Sequence, residues 1–119
     1  MDVSSARNEV LIVSPFLSRR RVLSSLSYLK ASNARVIVVT KPPENYNDKD
    51  RIKIEECIGI LNQNSITVKT KDRIHQKFAV MDQRLVWYGS INLLSYGASE
   101  ESIMRIESMD IAAELAGII

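Results

Sequence analysis

Three apolar runs rich in β-branched residues, "EVLIVS" (9–14), "RVIVVT" (35–40) and "SITVKT" (65–70), are separated by two stretches with helical periodicity. This alternation constrains the fold more than any other feature of the chain. Short β-branched runs of this kind read as buried strands, and helices between them bring such strands side by side in parallel. The first helical stretch, "LSRRRVLSSLSYLKAS" (17–32), spaces Leu17, Val22, Leu23, Leu26 and Leu29 for one face, with Ser18 placed as N-cap. The second is "RIKIEECIGILNQN" (51–64), in which Cys57 reads as a small core residue. Between them, "KPPENYNDKD" (41–50) has the prolines, asparagines and alternating charges of a loop.

The pattern then changes. "KFAVMD" (77–82) and "RLVWYG" (84–89) read as a hairpin joined tightly through Gln83. "ESIMRIES" (101–108) reads as a further strand and "MDIAAELAGII" (109–119) as a closing helix. The expected fold is therefore α/β: a mixed, mostly parallel sheet flanked by helices, in a single domain over residues 1–119. Hydrophobic residues make up 45% of the chain and charged residues 25%, so one core can form without staples. A lone cysteine excludes an internal disulfide framework. No apolar run approaches the ~20 residues of a membrane span, and "MDVSSARNE" lacks the apolar centre of a signal peptide. A cytoplasmic protein without membrane partners is the expectation.

The net charge of +2 does not mark a nucleic-acid binder by itself, so any basic surface has to come from local clustering. One stretch supplies it. "KTKDRIHQK" (69–77) leads into the first hairpin strand and contains the only histidine, His75. In an extended strand alternate residues share a face, so His75 and Lys77 would project together, with Arg73, Lys71 and Lys69 in the same parity if the strand extends that far; a turn at "KDR" would break the row. Hairpin pairing would return Gly89, Ser90 and Asn92 to their side. An imidazole, an ammonium, a hydroxyl and a carboxamide would then converge without grouped acids. That donor set suits a phosphate and makes a poor site for a divalent metal. An imidazole beside a phosphodiester can attack phosphorus or protonate the leaving oxygen, but not both in one step. A second histidine is needed, and a symmetric dimer would supply it.

The spacing His-x-Lys-x4-Asp-x6-Gly-Ser-x-Asn, met by His75, Lys77, Asp82, Gly89, Ser90 and Asn92, resembles the signature of the phospholipase D superfamily. At roughly one chance in 20 per letter, a match in register arises on the order of once in 10⁷ to 10⁸ starting positions. Each residue alone would pass as ordinary: a surface histidine, a solvated lysine, a turn, a helix cap. Their shared register does not. "VLIVSPFL", "RVIVVT" and "SEESIMRI" resemble the corresponding parts of single-motif members, so the likeness extends along the whole chain.

The resemblance implies a phosphodiesterase with its site between two motif copies, working without metal or other cofactor through a phosphohistidine. One His75 would be the nucleophile and the other the acid. Lys77 and Asn92 would hold the non-bridging oxygens, and Ser90 would support them. Asp82 is expected to be a structural partner. Glu101, with Glu100 as the fallback, would orient the histidine. Leu93 and Leu94 depart from relatives that carry an aromatic residue or a hydroxyl there.

Three functions remain open on the sequence. The first is a nuclease, acting alone as a homodimer or as a module of a DNA-processing protein such as a helicase. The polar start and abrupt end of this short chain suit such an excised domain. The second is phospholipid hydrolysis or headgroup transfer, for which "IAAELAGII" is the sole membrane-facing candidate. The third is a non-catalytic phosphate-binding or dimerisation domain within a helicase or restriction assembly. Nucleic acid is the favoured partner. Trp87 and Tyr88 are expected to pack as core and edge-strand residues, and Arg19, Arg20 and Arg21 to form a solvated helix start.

Overall fold

The computed structural model describes residues 6–89 and 103–117. Within them the chain order is β1 (Glu9–Val13), α1 (Arg19–Ala31), β2 (Arg35–Thr40), α2 (Asp48–Gln63), β3 (Thr67–Thr70), β4 (Phe78–Met81), β5 (Leu85–Gly89), β6 (Ile103–Glu107) and α3 (Met109–Ala116). The six strands form one sheet in the spatial order β3-β2-β1-β4-β5-β6. The ladders β1–β2 and β2–β3 are parallel, as two helical crossovers require. The ladders β1–β4, β4–β5 and β5–β6 are antiparallel. The expected mixed α/β architecture is what the chain adopts, although its ladders are not mostly parallel, since β4 and β6 run against β1, β2, β3 and β5.

Alternation along the strands explains the layering. Val10 and Ile12 of β1, Val36 and Val38 of β2, and Ala79 and Met81 of β4 face one way, where they meet Val22 and Leu29 of α1 and Ile54, Cys57 and Leu61 of α2. Leu11 and Val13, Val39, Phe78 and Val80, and Val86 of β5 face the other way, onto Ala112 of α3. Both faces of the sheet are therefore covered, which is why β1, β2 and β4 read as continuous apolar runs. A fully buried Val or Phe side chain contributes about 1.5–3 kcal/mol, and Val10, Val13, Val38, Val39, Phe78 and Val86 are all fully buried.

The helix signals hold with one adjustment. Ser18 caps α1, its side chain accepting from the Arg21 backbone N–H at 3.3 Å. Helix α2 starts three residues before the expected boundary. Asn47 caps it, accepting from the Asp50 N–H at 2.9 Å, and Asp48 and Asp50 in its first turn complement the helix dipole. Those residues look like loop in sequence because a cap and its acidic first turn share the composition of a loop. A short 3-10 turn, Pro43–Asn45, precedes them.

Two other expectations change. The row of cations from Lys69 to Lys77 does not share one strand face, because β3 ends at Thr70 and Arg73 has a positive φ of 60°. The chain turns there, and Ile74 goes back into the core at 2% exposure. Nor do Trp87 and Tyr88 lie on an edge strand, since β5 sits between β4 and β6. Their packing role stands: Trp87 packs against the α1–α2 side, and the Tyr88 ring stacks on Phe78 with centroids 6.1 Å apart.

Candidate active site

The site end of the sheet follows from topology. Parallel strands β1, β2 and β3 all finish at one end, and their carboxyl ends lead into residues 14–18, 41–47 and 71–77. Strand β4 starts at that same end, since Phe78 pairs with Val13, the last residue of β1. Strand order runs outward from β1 through β2 to β3 on one side and from β4 through β5 to β6 on the other, so it reverses between β1 and β4. A crevice at the carboxyl ends of strands beside such a switch is where open α/β sheets bind ligands.

His75 and Lys77 lie in the segment immediately before β4, at this switch. His75 is exposed and Lys77 half-buried, while Ile74 and Phe78 on either side are anchored in the core. The segment is pinned at its start by the Lys71 N–H donating to the Thr40 carbonyl at 3.0 Å. The Asn45 side chain also donates to Asp72 at 3.2 Å. An exposed imidazole is therefore held between fixed points, with an ammonium two residues on. Lys41, Lys71 and Arg73 come from the same cluster of loops, where with Lys77 they outnumber Glu44 and Asp72 and leave an excess of positive charge. Such clustering attracts phosphates independently of net charge. At the opposite end, charges pair off as Glu9–Arg35 at 3.4 Å and Arg84–Glu107 at 3.4 Å. Among the described residues no three His, Cys, Asp or Glu side chains group as a metal site.

Asp82 belongs to the motif but not to this place. The whole length of β4 lies between it and Lys77, about 16 Å at the rise of an extended chain. Its carboxylate accepts from three successive backbone N–H groups, of Arg7 at 3.1 Å, Asn8 at 2.7 Å and Glu9 at 3.1 Å. Burial pushes the carboxyl pKa up, but the three N–H donors and nearby Arg84 outweigh it and hold the pKa below its ordinary value. Asp82 and Gln83 both take positive φ, 53° and 56°, and the Arg84 N–H closes the turn on the Met81 carbonyl at 3.1 Å. Asp82, Gln83 and Arg84 form a three-residue loop between the paired Met81 and Leu85, and Asp tolerates the left-handed backbone better than most residues. Asp82 is a structural clamp between the hairpin and the start of β1.

Ser90, Asn92, Glu100 and Glu101 lie outside the described residues, as do Leu93 and Leu94. Cys57 is buried in the α1–α2 core, where burial and the neighbouring Glu56 raise its thiol pKa against the opposing effect of Arg19. It stays a protonated core thiol. Arg19, Arg20 and Arg21 are exposed at the start of α1, and Arg19 pairs with Glu56 at 3.2 Å.

The family described as "Cardiolipin synthase, PLD-like domain" matches residues 2–119. The chain belongs to this phospholipase D-like family. Solved structures share the fold. NucT from Helicobacter pylori superposes with a TM-score of 0.70 at 18% identity, covering 98% of this chain and 79% of that one. Nuc from Salmonella typhimurium, described as a phospholipase D family member, gives 0.74 at 15% identity, covering 98% and 78%. TrmBL2, described as an archaeal chromatin protein with a novel mode of DNA binding, gives 0.60 at 14% identity, covering 98% of this chain but 43% of that one. A search of curated proteins found no match.

The Phe16–Lys41–Tyr46 cluster on neighbouring loops of the site end is a feature that sequence reading missed. Its only signal is a large apolar residue straight after the Ser-Pro that ends β1, which reads equally well as core.

Proposed function

We propose that this phospholipase D-like domain is a metal-independent phosphodiesterase that cleaves nucleic acid through paired His75 side chains in a homodimer. The observation that carries this reading is the position of His75 and Lys77 at the switch point of the sheet, on its basic end. In the proposed reaction one His75 imidazole attacks phosphorus, and the P–N bond forms as the P–O bond to the leaving group breaks. The partner subunit's His75 gives that oxygen its proton. The same imidazole then takes a proton from water, whose oxygen attacks phosphorus and releases the first histidine. Lys77 and Asn92 from both subunits stabilise the charge that builds on the non-bridging oxygens, with Ser90 in support and Glu101, or Glu100, orienting the imidazole.

Nucleic acid is favoured over lipid by the basic loops at the site and by the DNA binding of the chromatin protein that shares the fold. Contacts to phosphate position a strand without reading bases, so weak sequence preference is expected. The lipid alternative rested on "IAAELAGII". Helix α3 packs Ala112 and Leu115 against the sheet, so core packing accounts for these two residues, while Ile111 is exposed and Ile118 and Ile119 lie outside the described residues. No helix among the described residues is long and apolar enough to cross a membrane.

The test is hydrolysis in excess EDTA of single-stranded DNA, double-stranded DNA and phosphatidylglycerol vesicles by the same preparation. Cleavage of DNA with the vesicles left intact is expected. Hydrolysis of the lipid alone would overturn the choice of substrate, and loss of all activity with EDTA would overturn the metal-free chemistry.

A further inference from the structure

Phe16 is 40% exposed between Pro15 and Leu17, both of which are buried. Exposed apolar residues elsewhere, such as Leu23 and Ile52, stand on helix surfaces where one out-facing position is unremarked. Phe16 is different because its loop is fixed from several sides. The Ser14 hydroxyl donates to the Phe16 carbonyl at 2.8 Å. The Pro15 carbonyl accepts from the Thr40 hydroxyl at 3.1 Å and from the Tyr46 phenol at 3.0 Å. Burial, and then Asp50, raise the Tyr46 pKa, so the phenol keeps the proton it donates. A mobile loop would let the ring turn inward; this one holds it out.

The ring's neighbours give that exposure a chemical meaning. The Lys41 ammonium sits over it, 4.7 Å from the centroid, and Tyr46 meets it edge-on with centroids 6.2 Å apart at 76°. The ring also borders a cleft of about 800 Å³ lined by both signs of charge, Arg19 and Lys53 with Asp50 and Glu56. Phe16 follows β1 by three residues and His75 precedes β4 by three, and Val13 pairs with Phe78. Ring and histidine therefore stand at the same end of two adjacent strands. A rigid aromatic face beside cations is what binds single-stranded nucleic acid, in which each unit offers a π-face next to a phosphate. A duplex has its base faces already stacked and offers only the phosphates.

We propose that Phe16, with Lys41, is a base-stacking platform beside the phosphate site and gives the domain a preference for single-stranded nucleic acid. The proposal rests on the nucleic-acid reading above. A base takes the place of the Lys41 ammonium over the Phe16 ring, and the displaced ammonium meets the adjoining phosphate. Tyr46 sets the angle of the ring and is a positioning residue.

The test measures binding by fluorescence anisotropy, with His75→Ala as the parent so that no strand is cut. The probes are a labelled oligothymidine, the same backbone made abasic, and a duplex of equal length. Phe16→Ala should weaken oligothymidine binding about tenfold and leave abasic and duplex binding within about twofold. Phe16→Trp should bind oligothymidine at least as well as the parent, which separates stacking from any general loss of folding. Lys41→Ala should weaken the base-bearing and abasic strands alike. Equal binding of oligothymidine by parent and Phe16→Ala, or an equal loss on the abasic strand, would overturn the platform while the nucleic-acid reading stood. Failure of the parent to bind any strand would overturn both.

Discussion

Replacing His75 with alanine should lower DNA cleavage in excess EDTA on the order of 10⁴-fold, because it removes the nucleophile from one side of the phosphate and the acid from the other. Its fold should survive. His75 is exposed, and the flanking Ile74 and Phe78 that anchor its segment are untouched. A surface substitution of this kind moves stability by about 0.5 kcal/mol or less, so the thermal midpoint should stay within a few degrees of wild type. Lys77→Ala should cost less, about 10²- to 10³-fold, as loss of one electrostatic contact to the developing charge does. Cleavage that persists in His75→Ala at the wild-type rate would remove the histidine from the chemistry. A parallel fall in thermal stability would instead make its role structural.

The second large effect falls at the far end of β4 and should touch stability. Asp82→Ala leaves the N–H groups of Arg7, Asn8 and Glu9 without their shared acceptor. It also puts an alanine at a φ of 53°. Hydrogen bonds to a charged acceptor are worth about 1.5–3 kcal/mol, and left-handed backbone costs a non-glycine residue about 1–2 kcal/mol. With some screening by solvent, a loss of about 3 kcal/mol is expected for Asp82→Ala. Asp82→Asn tolerates the turn but loses the charge, and about 1–2 kcal/mol is expected there. The folded carboxyl has a depressed pKa, so its contribution is present above the ordinary carboxylate range and fades as pH falls through the folded value. Urea unfolding of wild type and Asp82→Asn should therefore converge in acid and separate towards neutrality. A gap that widens in acid would contradict the clamp.

These two predictions divide a motif that looks uniform in sequence. A fixed spacing shows which residues belong together but not whether they share a site. His75 and Lys77 precede β4 and Asp82 follows it, and only the length of the strand reveals that separation. The strands themselves were legible because a sheet covered on both faces leaves unbroken apolar runs, as in "EVLIVS" and "RVIVVT". Helix α1 was legible from its Ser18 cap and leucine spacing. The start of α2 was not, since Asn47, Asp48 and Asp50 carry the same letters whether they cap a helix or decorate a loop. The cation row failed because parity holds only while the chain stays extended, and the turn that "KDR" allows is made, with Arg73 left-handed. Phe16 was hidden because exposure depends on the packing of Thr40 and Tyr46, which come from elsewhere in the chain.

The pairing of two His75 side chains across one phosphate is best tested by subunit mixing. Wild-type and His75→Ala chains would be co-refolded at varied ratios and assayed for DNA cleavage in excess EDTA. If each active dimer needs both histidines, specific activity follows the square of the wild-type fraction, about a quarter of full activity at an equal mixture under random pairing. A linear fall, to about half at that point, would mean that one histidine suffices and that each chain works alone.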